Sequence, residues 1–178
     1  MKKFIVSSVI AFLALLCINT AVAQNPKISN PDKLTVDLSC EYNQDGSYTV
    51  AIKYLRLTGL GNATSVAASL TVNATADVSC YNQGQLKQGE PVKSMPGQSS
   101  TATGPTVTLT PRNGVLIIEN CVLSASIVGN CKNTNTQNGF ESEVANVNIN
   151  DLYININGKT VSLRSYISQL DNCEGICN

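Results

Sequence analysis

The segment SVAASLTVNATADVSC, residues 65–80, alternates apolar and polar side chains along almost its whole length. Every even-numbered residue from Val66 to Cys80 is apolar, and every odd-numbered one except Ala67 is polar. Successive side chains of a strand point to opposite faces, so this pattern predicts a strand with one buried and one solvated face. At about 3.3 Å per residue it would span roughly 50 Å, beyond the usual strand length. We therefore expect it to be bent, bulged or split between two sheets.

The rest of the chain contains shorter segments that also alternate apolar and polar residues and are separated by turn signals. They predict strands at about 33–42, 48–54, 106–110, 115–123, 145–156 and 161–163. Asn-Gly at 157–158 and the PRNG sequence at 111–114 predict hairpin turns, and a switch of apolar phase near Asn150 predicts a bulge or turn. About eight strands without a long helix predict an all-β protein. We expect an antiparallel β-sandwich, with a barrel as the alternative.

Residues 1–23 have the features of a bacterial-type secretory signal peptide. Two lysines precede an apolar run over about 4–18, and Ala-Val-Ala at 21–23 predicts cleavage after Ala23. The run is short for a membrane span, so we expect no membrane insertion after signal cleavage. The remaining 178 − 23 = 155 residues, 24–178, suit a single domain led by a proline-containing arm over 24–32. We expect a secreted or periplasmic protein, or one held at the cell surface.

The cysteine count indicates disulfides. After signal cleavage the cysteines are those at 40, 80, 121, 131, 173 and 177. An even number in an exported chain is typical of a disulfide framework. The chain has no histidine and no close Cys-x-x-Cys pair, so the ligand pattern of a zinc site is missing. Six cysteines allow fifteen pairings, and their spacing leaves the connectivity open.

The charge balance and the absence of histidine exclude several function classes. Removing Lys2 and Lys3 leaves 12 − 2 = 10 basic residues against 12 acidic ones, a net charge of −2. That balance gives no electrostatic basis for binding nucleic acid. Without histidine, Ser-His-Asp and Cys-His catalysis and a typical catalytic zinc are excluded. We expect no cofactor and no enzymatic activity.

One acid-based alternative remains. Glu141 and Glu143 are predicted to lie on one strand face, about 7 Å apart, as the candidate pair of a carboxylate-based hydrolase. The simpler interpretation is a solvated pair that protects a sheet edge from aggregation.

From 81 to 105 the alternation stops, and glycines and prolines predict a long loop. Loops of this length are uncommon unless they are functional or mobile. We interpret this segment as the candidate contact loop, with Tyr81, Lys87, Glu90 and Lys93 as candidate contact residues. For Tyr81, the simpler interpretation is an anchor for the loop.

Four short motifs follow one another from Cys80 onward. They are CYNQG at 80–84, PGQ at 96–98, NG at 113–114 and CKN at 131–133, before VANVNINDLYININGKTV at 144–161. This order resembles the Cys-x-Asn-x-Gly, Pro-Gly-Gln, Asn-Gly, Cys-x-Asn pattern of small secreted bacterial proteins that have no assigned activity. The resemblance covers roughly 65–163. Where that family usually has a proline and a tryptophan near the second cysteine, this chain has Lys132 and Phe140.

The resemblance implies an immunoglobulin-like β-sandwich and a Cys80–Cys131 disulfide, and it implies no activity. That bridge would close a loop of 131 − 80 = 51 residues and stabilise the fold by about 4 kcal/mol. Cys173 and Cys177 flank Glu-Gly-Ile and are then expected to join locally, leaving Cys40 and Cys121 for each other.

Three functions follow as hypotheses. The first is an exported non-enzymatic protein with a binding or structural role, whose partner is an unknown protein or glycan. The second is a subunit of a surface assembly, which would self-associate through strand edges and the N-terminal arm. The third is the carboxylate-based hydrolase.

Overall fold

The computed structural model describes residues 25–28, 37–131 and 140–165, which form ten β-strands in two antiparallel sheets. Strand β3 (Tyr48–Thr58) is the centre of sheet A. It is flanked on one side by β1 (Lys27–Ile28) and β2 (Asp37–Tyr42), and on the other by β7 (Leu116–Glu119) and β8 (Ser124–Ile127).

Sheet B is built on β4 (Val66–Tyr81). Strand β9 (Glu141–Ile156) pairs with one side of β4, and β10 (Lys159–Ser162) lies beyond it. The other side of β4 pairs with β5 (Lys93–Thr103) and then β6 (Val107–Leu109). The all-β, sandwich-like prediction is confirmed for the described residues, while the immunoglobulin-like topology stays a prediction.

The core lies between the two sheets and follows the alternation in the sequence. All the even-numbered residues of β4 from Val66 to Cys80 are buried, and its odd-numbered polar residues lie on the other face. From sheet A, apolar side chains of β3, β7 and β8 join the same cluster; they include Val50, Ile52, Leu55, Leu57, Leu116, Ile118, Ala125 and Ile127. Full burial of each leucine or isoleucine contributes about 1.5–3 kcal/mol, so this cluster is the main source of stability.

Strand β4 stays in one sheet along its 16 residues, and its length is accommodated by bulges. The pairing with β9 shifts register between Asn73 and Ala74 and again between Thr75 and Asp77. The first shift skips Asn150, which confirms the bulge expected from the phase switch near that residue. Of the three expectations for this strand, the bulged one is therefore correct.

The hairpin predicted around PRNG is wrong. The tight turn exists, since Arg112 and Val115 exchange backbone hydrogen bonds and both Asn113 and Gly114 have positive φ. However, β6 pairs with β4 in sheet B, whereas β7 pairs with β3 in sheet A. The turn therefore connects the two sheets. The strand before it pairs with the long strand β4, and the strand after it pairs with the long strand β3. By contrast, β9 and β10 form the hairpin expected at 157–158.

The loop predicted over 81–105 is too long, because β5 occupies 93–103. Most β5 side chains are exposed or half-buried on both faces, so the strand has no apolar alternation to reveal it. Its register shifts where Pro96 and Gly97 interrupt the pairing with β4. The loop proper is 82–92. Similarly, the predicted arm over 24–32 contains the short strand β1.

The Cys80–Cys131 disulfide implied by the family resemblance is present, with the two Cα atoms 5.9 Å apart. Cys40 and Cys121 are disulfide-bonded as well. Cys173 and Cys177 lie outside the described residues, as does the predicted signal peptide. The pairing predicted among the other four cysteines therefore stays a prediction.

Gly104 provides a test of how closely the sheets approach. A Cβ added there would lie 1.6 Å from the carbonyl O of Ser124 in β8, which is fixed backbone. We expect Gly104→Ala to lower the free energy of unfolding by about 3 kcal/mol, as overpacking does. Urea unfolding would measure this as a lower midpoint with an unchanged slope.

Gly89→Ala is the matched control, because nothing lies within 4 Å of a Cβ added at that position. Its expected effect is within about 0.5 kcal/mol. Equal midpoints for the two variants would contradict the close approach of β8 to the β5–β6 junction.

Candidate functional site

Loop 82–92 connects β4 to β5 and is closed at its base by a backbone hydrogen bond. The amide N of Val92 donates to the carbonyl O of Cys80 at 2.8 Å. Two successive tight turns follow inside the loop, in which Gln85 N donates to Asn82 O and Gln88 N donates to Gln85 O. These bonds give the loop a defined backbone shape rather than leaving it as an extended connection.

Tyr81 anchors this loop instead of forming its contact surface. The residue is only 8% exposed. Its hydroxyl donates to Glu143 Oε2 on β9 at 2.9 Å. A buried tyrosine ring with a bonded hydroxyl fixes the point at which β4 ends and the loop begins. These contacts favour the anchor interpretation of Tyr81, and its role as a contact residue stays a prediction.

Glu141 and Glu143, the candidate catalytic pair, both hold the loop. Glu141 Oε2 accepts a hydrogen bond from the amide N of Leu86 at 2.8 Å. Glu143 Oε1 lies 3.6 Å from Nζ of Lys87, in addition to accepting the Tyr81 hydroxyl. An exposed ion pair contributes at most about 1 kcal/mol, but the hydrogen bonds that these carboxylates accept from a backbone amide and a hydroxyl are stronger and directional. The arrangement suits loop anchoring.

The Cys80–Cys131 disulfide lies beneath the loop. Cys80 has no exposed surface and directly precedes Tyr81. The chain approaches this point closely, since a Cβ added at Gly129 would lie 2.6 Å from Val78 Cγ1 and 2.8 Å from Ser142 Cβ. The covalent bond therefore holds the segment before Cys131 against β4 and β9 at the base of the loop.

The turn between β2 and β3 forms a second wall beside the loop. The carbonyl O of Gly46 accepts a hydrogen bond from Val144 N at 2.9 Å, and a Cβ at Gly46 would lie 2.2 Å from Ser142 O. In the same turn, the Ser47 hydroxyl donates to Asp45 Oδ1 and lowers the pKa of that carboxyl, helped by the Ser47 amide. This turn therefore connects sheet A to β9 at the loop end of the molecule.

The exposed surface of the loop is mostly polar and of mixed charge, with Val92 as an exposed apolar residue at its end. Glu90 and Lys87 are exposed and Lys93 is half-buried at the start of β5. The sequence prediction missed the side-chain amides, which are also exposed: Asn82, Gln83, Gln85 and Gln88. No local signal marks them as a group. Within the described ranges there is no group of three or more Cys, Asp or Glu side chains placed to hold a metal ion.

Two depressions lie away from the loop tip. One is a cavity of about 170 Å³ between the β4–β5 pair and the end of β8, lined partly by Val78, Met95 and Ile127. The other is an open groove of about 380 Å³ beside β7, lined partly by Arg112 and Glu119. Small-molecule pockets are usually enclosed and about 300–1,000 Å³ in volume, so neither feature has both properties. The loop offers a surface for contact rather than a cavity for a small molecule.

The stability that Tyr81 contributes to the fold depends on pH. Its hydrogen bond to Glu143 raises the pKa of Tyr81 above the usual 10.0, so the folded protein binds this proton more tightly than the unfolded chain. The resulting stabilisation is fully present below about pH 10 and is lost as pH rises through the raised pKa. We expect Tyr81→Phe to cost about 1–2 kcal/mol at neutral pH and less above pH 10.

Urea unfolding of the unaltered protein and of Tyr81→Phe, at about pH 7 and pH 10.5, would measure how the stability difference between them changes with pH. Tyr54→Phe is the control, because the Tyr54 ring is 41% exposed and its loss of a hydroxyl should change little. A Tyr81→Phe effect that stays constant or grows at the higher pH would refute the anchoring role.

No protein-family model, curated protein or solved structure matches this chain. The resemblance over 65–163 therefore remains a prediction. In the part of the chain that the structure describes, no helix is long and apolar enough to cross a membrane.

Proposed function

We propose that the protein is an exported, non-enzymatic binding protein that contacts its partner through loop 82–92. One observation carries this proposal: the loop is fixed at its base by Glu141, Glu143 and the Cys80–Cys131 disulfide, while its tip is exposed. Functional loops on rigid β-scaffolds commonly have this division between anchored base and exposed tip.

The anchoring supports binding for an energetic reason. A loop that is already ordered loses little conformational entropy when it meets a partner, so more of the contact energy appears as affinity. The exposed amides offer paired donors and acceptors, and Lys87, Glu90 and Lys93 add charges of both signs. Such a surface suits a polar partner, and we retain a protein or a glycan as the two candidate classes.

The disulfides support an extracytoplasmic location. Disulfides persist in oxidising, extracellular-type environments and are rare in reducing ones. With the predicted signal peptide, the Cys80–Cys131 bond favours a secreted, periplasmic or cell-surface protein. The binding partner would then be a molecule met outside the cytoplasm.

A charge-neutral pair of substitutions tests the contact loop. We expect Glu90→Ser with Lys93→Ser to reduce binding at least tenfold on an array of glycans and extracellular proteins. Arg112→Ser with Glu119→Ser is the matched control, since it also removes one acid and one base but alters the groove beside β7. Binding titrations of the mature protein and both variants against each array hit would measure the effect.

The control should bind as the unaltered protein does. If instead the groove variant loses binding and the loop variant keeps it, the contact site lies beside β7 and the proposal is wrong. Equal melting temperatures for the two variants would show that the difference reflects contact and not folding.

Strand β5 favours a second candidate, assembly through strand edges. It forms an edge of sheet B along 11 residues, and an unpaired edge can accept a strand from another molecule. Pro96 and the register shift beside it oppose such pairing, because proline lacks an amide donor. We therefore expect the mature protein to elute as a monomer in size-exclusion chromatography up to millimolar concentration. Concentration-dependent oligomers that a second proline in β5 abolishes would favour assembly instead.

A further inference from the structure

The face of sheet B that turns away from the core is a continuous polar surface across β5, β4 and β9. Directly opposed residues of an antiparallel pair lie on the same face of a sheet, so the register defines the rows of this surface. Taken in the order β5, β4, β9, three successive rows are Thr103–Thr71–Tyr153, Thr101–Asn73–Asp151 and Ser99–Thr75–Asn148. We refer to this surface as the outer face of sheet B.

Hydrogen bonds between side chains hold the first two rows in place. The Thr101 hydroxyl donates to Asn73 Oδ1 at 2.8 Å. The hydroxyls of Thr71 and Thr103 are 3.0 Å apart, and Asn155 Nδ2 donates to Thr71 Oγ1 at 3.0 Å. Side chains that are bonded to one another keep one arrangement, so they lose little conformational entropy when a ligand meets them.

Tyr153 lies along this face instead of pointing away from it. Its hydroxyl donates to Asp151 Oδ2, two residues earlier on the same strand, and interacts with Asn73 on β4. Two residues of a strand span about 6.6 Å, so the hydroxyl reaches this carboxylate because the ring leans along β9 over the sheet. One side of the half-buried ring then covers the sheet, and the other faces solvent. The face of an aromatic ring is negative and attracts weakly positive C–H groups.

The third row presents hydrogen-bonding groups that have no partner in the protein. Ser99, Thr75 and Asn148 lie side by side on three strands. Within residues 25–28, 37–131 and 140–165, their side chains make no hydrogen bond with one another or with a neighbour. Hydroxyl and amide groups both donate and accept hydrogen bonds. This row is four residues along β4 from the row of Tyr153, or about 13 Å, a length that a few sugar units would cover.

The charges on this face favour a neutral ligand. Asp77 and Asp151 contribute two carboxylates. Asn146 Nδ2 and Gly97 N each donate to Asp77 at 2.8 Å, and these bonds lower the pKa of Asp77, so it is ionised at neutral pH. Arg164, which follows β10, offsets one of the two charges near Tyr153. The remaining negative charge would repel an anionic ligand.

We propose that the outer face of sheet B binds a neutral polysaccharide. A sugar ring stacks on Tyr153, and the hydroxyl groups of the same chain exchange hydrogen bonds with Ser99, Thr75 and Asn148. A pyranose ring fits both features, because its C–H groups lie on its faces and its hydroxyl groups lie around its edge.

This site is separate from loop 82–92. Tyr153 lies opposite Thr71, which is 81 − 71 = 10 residues from Tyr81 along β4, or about 33 Å. The proposal therefore does not depend on the function proposed for the loop.

Isothermal titration calorimetry of the mature protein tests this site. The neutral probes are cello-, xylo-, manno- and chito-oligosaccharides, and the anionic probe is oligogalacturonate. We expect at least one neutral probe to bind and Tyr153→Ala to weaken that binding about tenfold or more, because the stacking surface is lost. Tyr54→Ala is the matched control, since Tyr54 is an exposed tyrosine of sheet A and should not affect the affinity.

Two milder substitutions separate the ring from the polar row. Tyr153→Phe keeps the ring and should bind within about threefold of the unaltered protein. Thr75→Val keeps the shape of the side chain but removes a hydroxyl, so we expect about fivefold weaker binding. Equal melting temperatures would show that these losses reflect contact, and if Tyr153→Ala does not fold, Thr75→Val decides the outcome.

The loop variant distinguishes this site from the contact loop. Glu90→Ser with Lys93→Ser should keep the affinity for the neutral probe, because the charges of the loop have no partner on a neutral chain. If that variant loses binding while Tyr153→Ala retains it, the loop holds the sugar and the proposal for sheet B is wrong. Failure of every neutral probe to bind, or tighter binding of oligogalacturonate, also overturns it.

Discussion

Strand β4 must bury one face along its entire length, and the other strands are arranged around that requirement. Its apolar side chains from Val66 to Cys80 need a cover, which sheet A provides through β3 and β8. Several of the buried positions are alanine, which allows the opposing backbone to approach closely; they are Ala68, Ala74 and Ala76. The glycine at 104 extends the same close approach to the edge of the sheet. Hydrophobic burial along this one strand thus fixes the spacing of the two sheets.

The loop end of the molecule is where this apolar packing stops. At Cys80 and Tyr81 the strand leaves the core, and other interactions replace burial: a disulfide, a buried ring and the carboxylates of β9. These contacts are directional, so they fix the shape of the loop backbone in a way that apolar contact does not. An exposed loop of defined shape is the feature on which the proposed binding function rests.

The carboxylates show how a residue pattern can suit two different roles. Glu141 and Glu143 share a strand at the spacing that the hydrolase hypothesis requires. In the fold, each one faces a loop group, the Leu86 amide or the Tyr81 hydroxyl. The identity of those partners, and not the spacing, indicates what the carboxylates do.

The sequence alone determined the strands that have a clear apolar alternation, such as β4, and which of their faces are buried, because strand side chains alternate whatever the partner. That is why the pattern of β4, the bulge opposite Asn73 and the turn at 157–158 were predictable. The sequence could not assign β6 and β7 to different sheets or reveal β5, whose two faces are both largely exposed.

Nor could the sequence pair Tyr81 with Glu143, 62 residues away, or Leu86 with Glu141, 55 residues away. Only the tertiary structure decided these pairings, because they depend on which strands lie side by side, and local alternation carries no information about that.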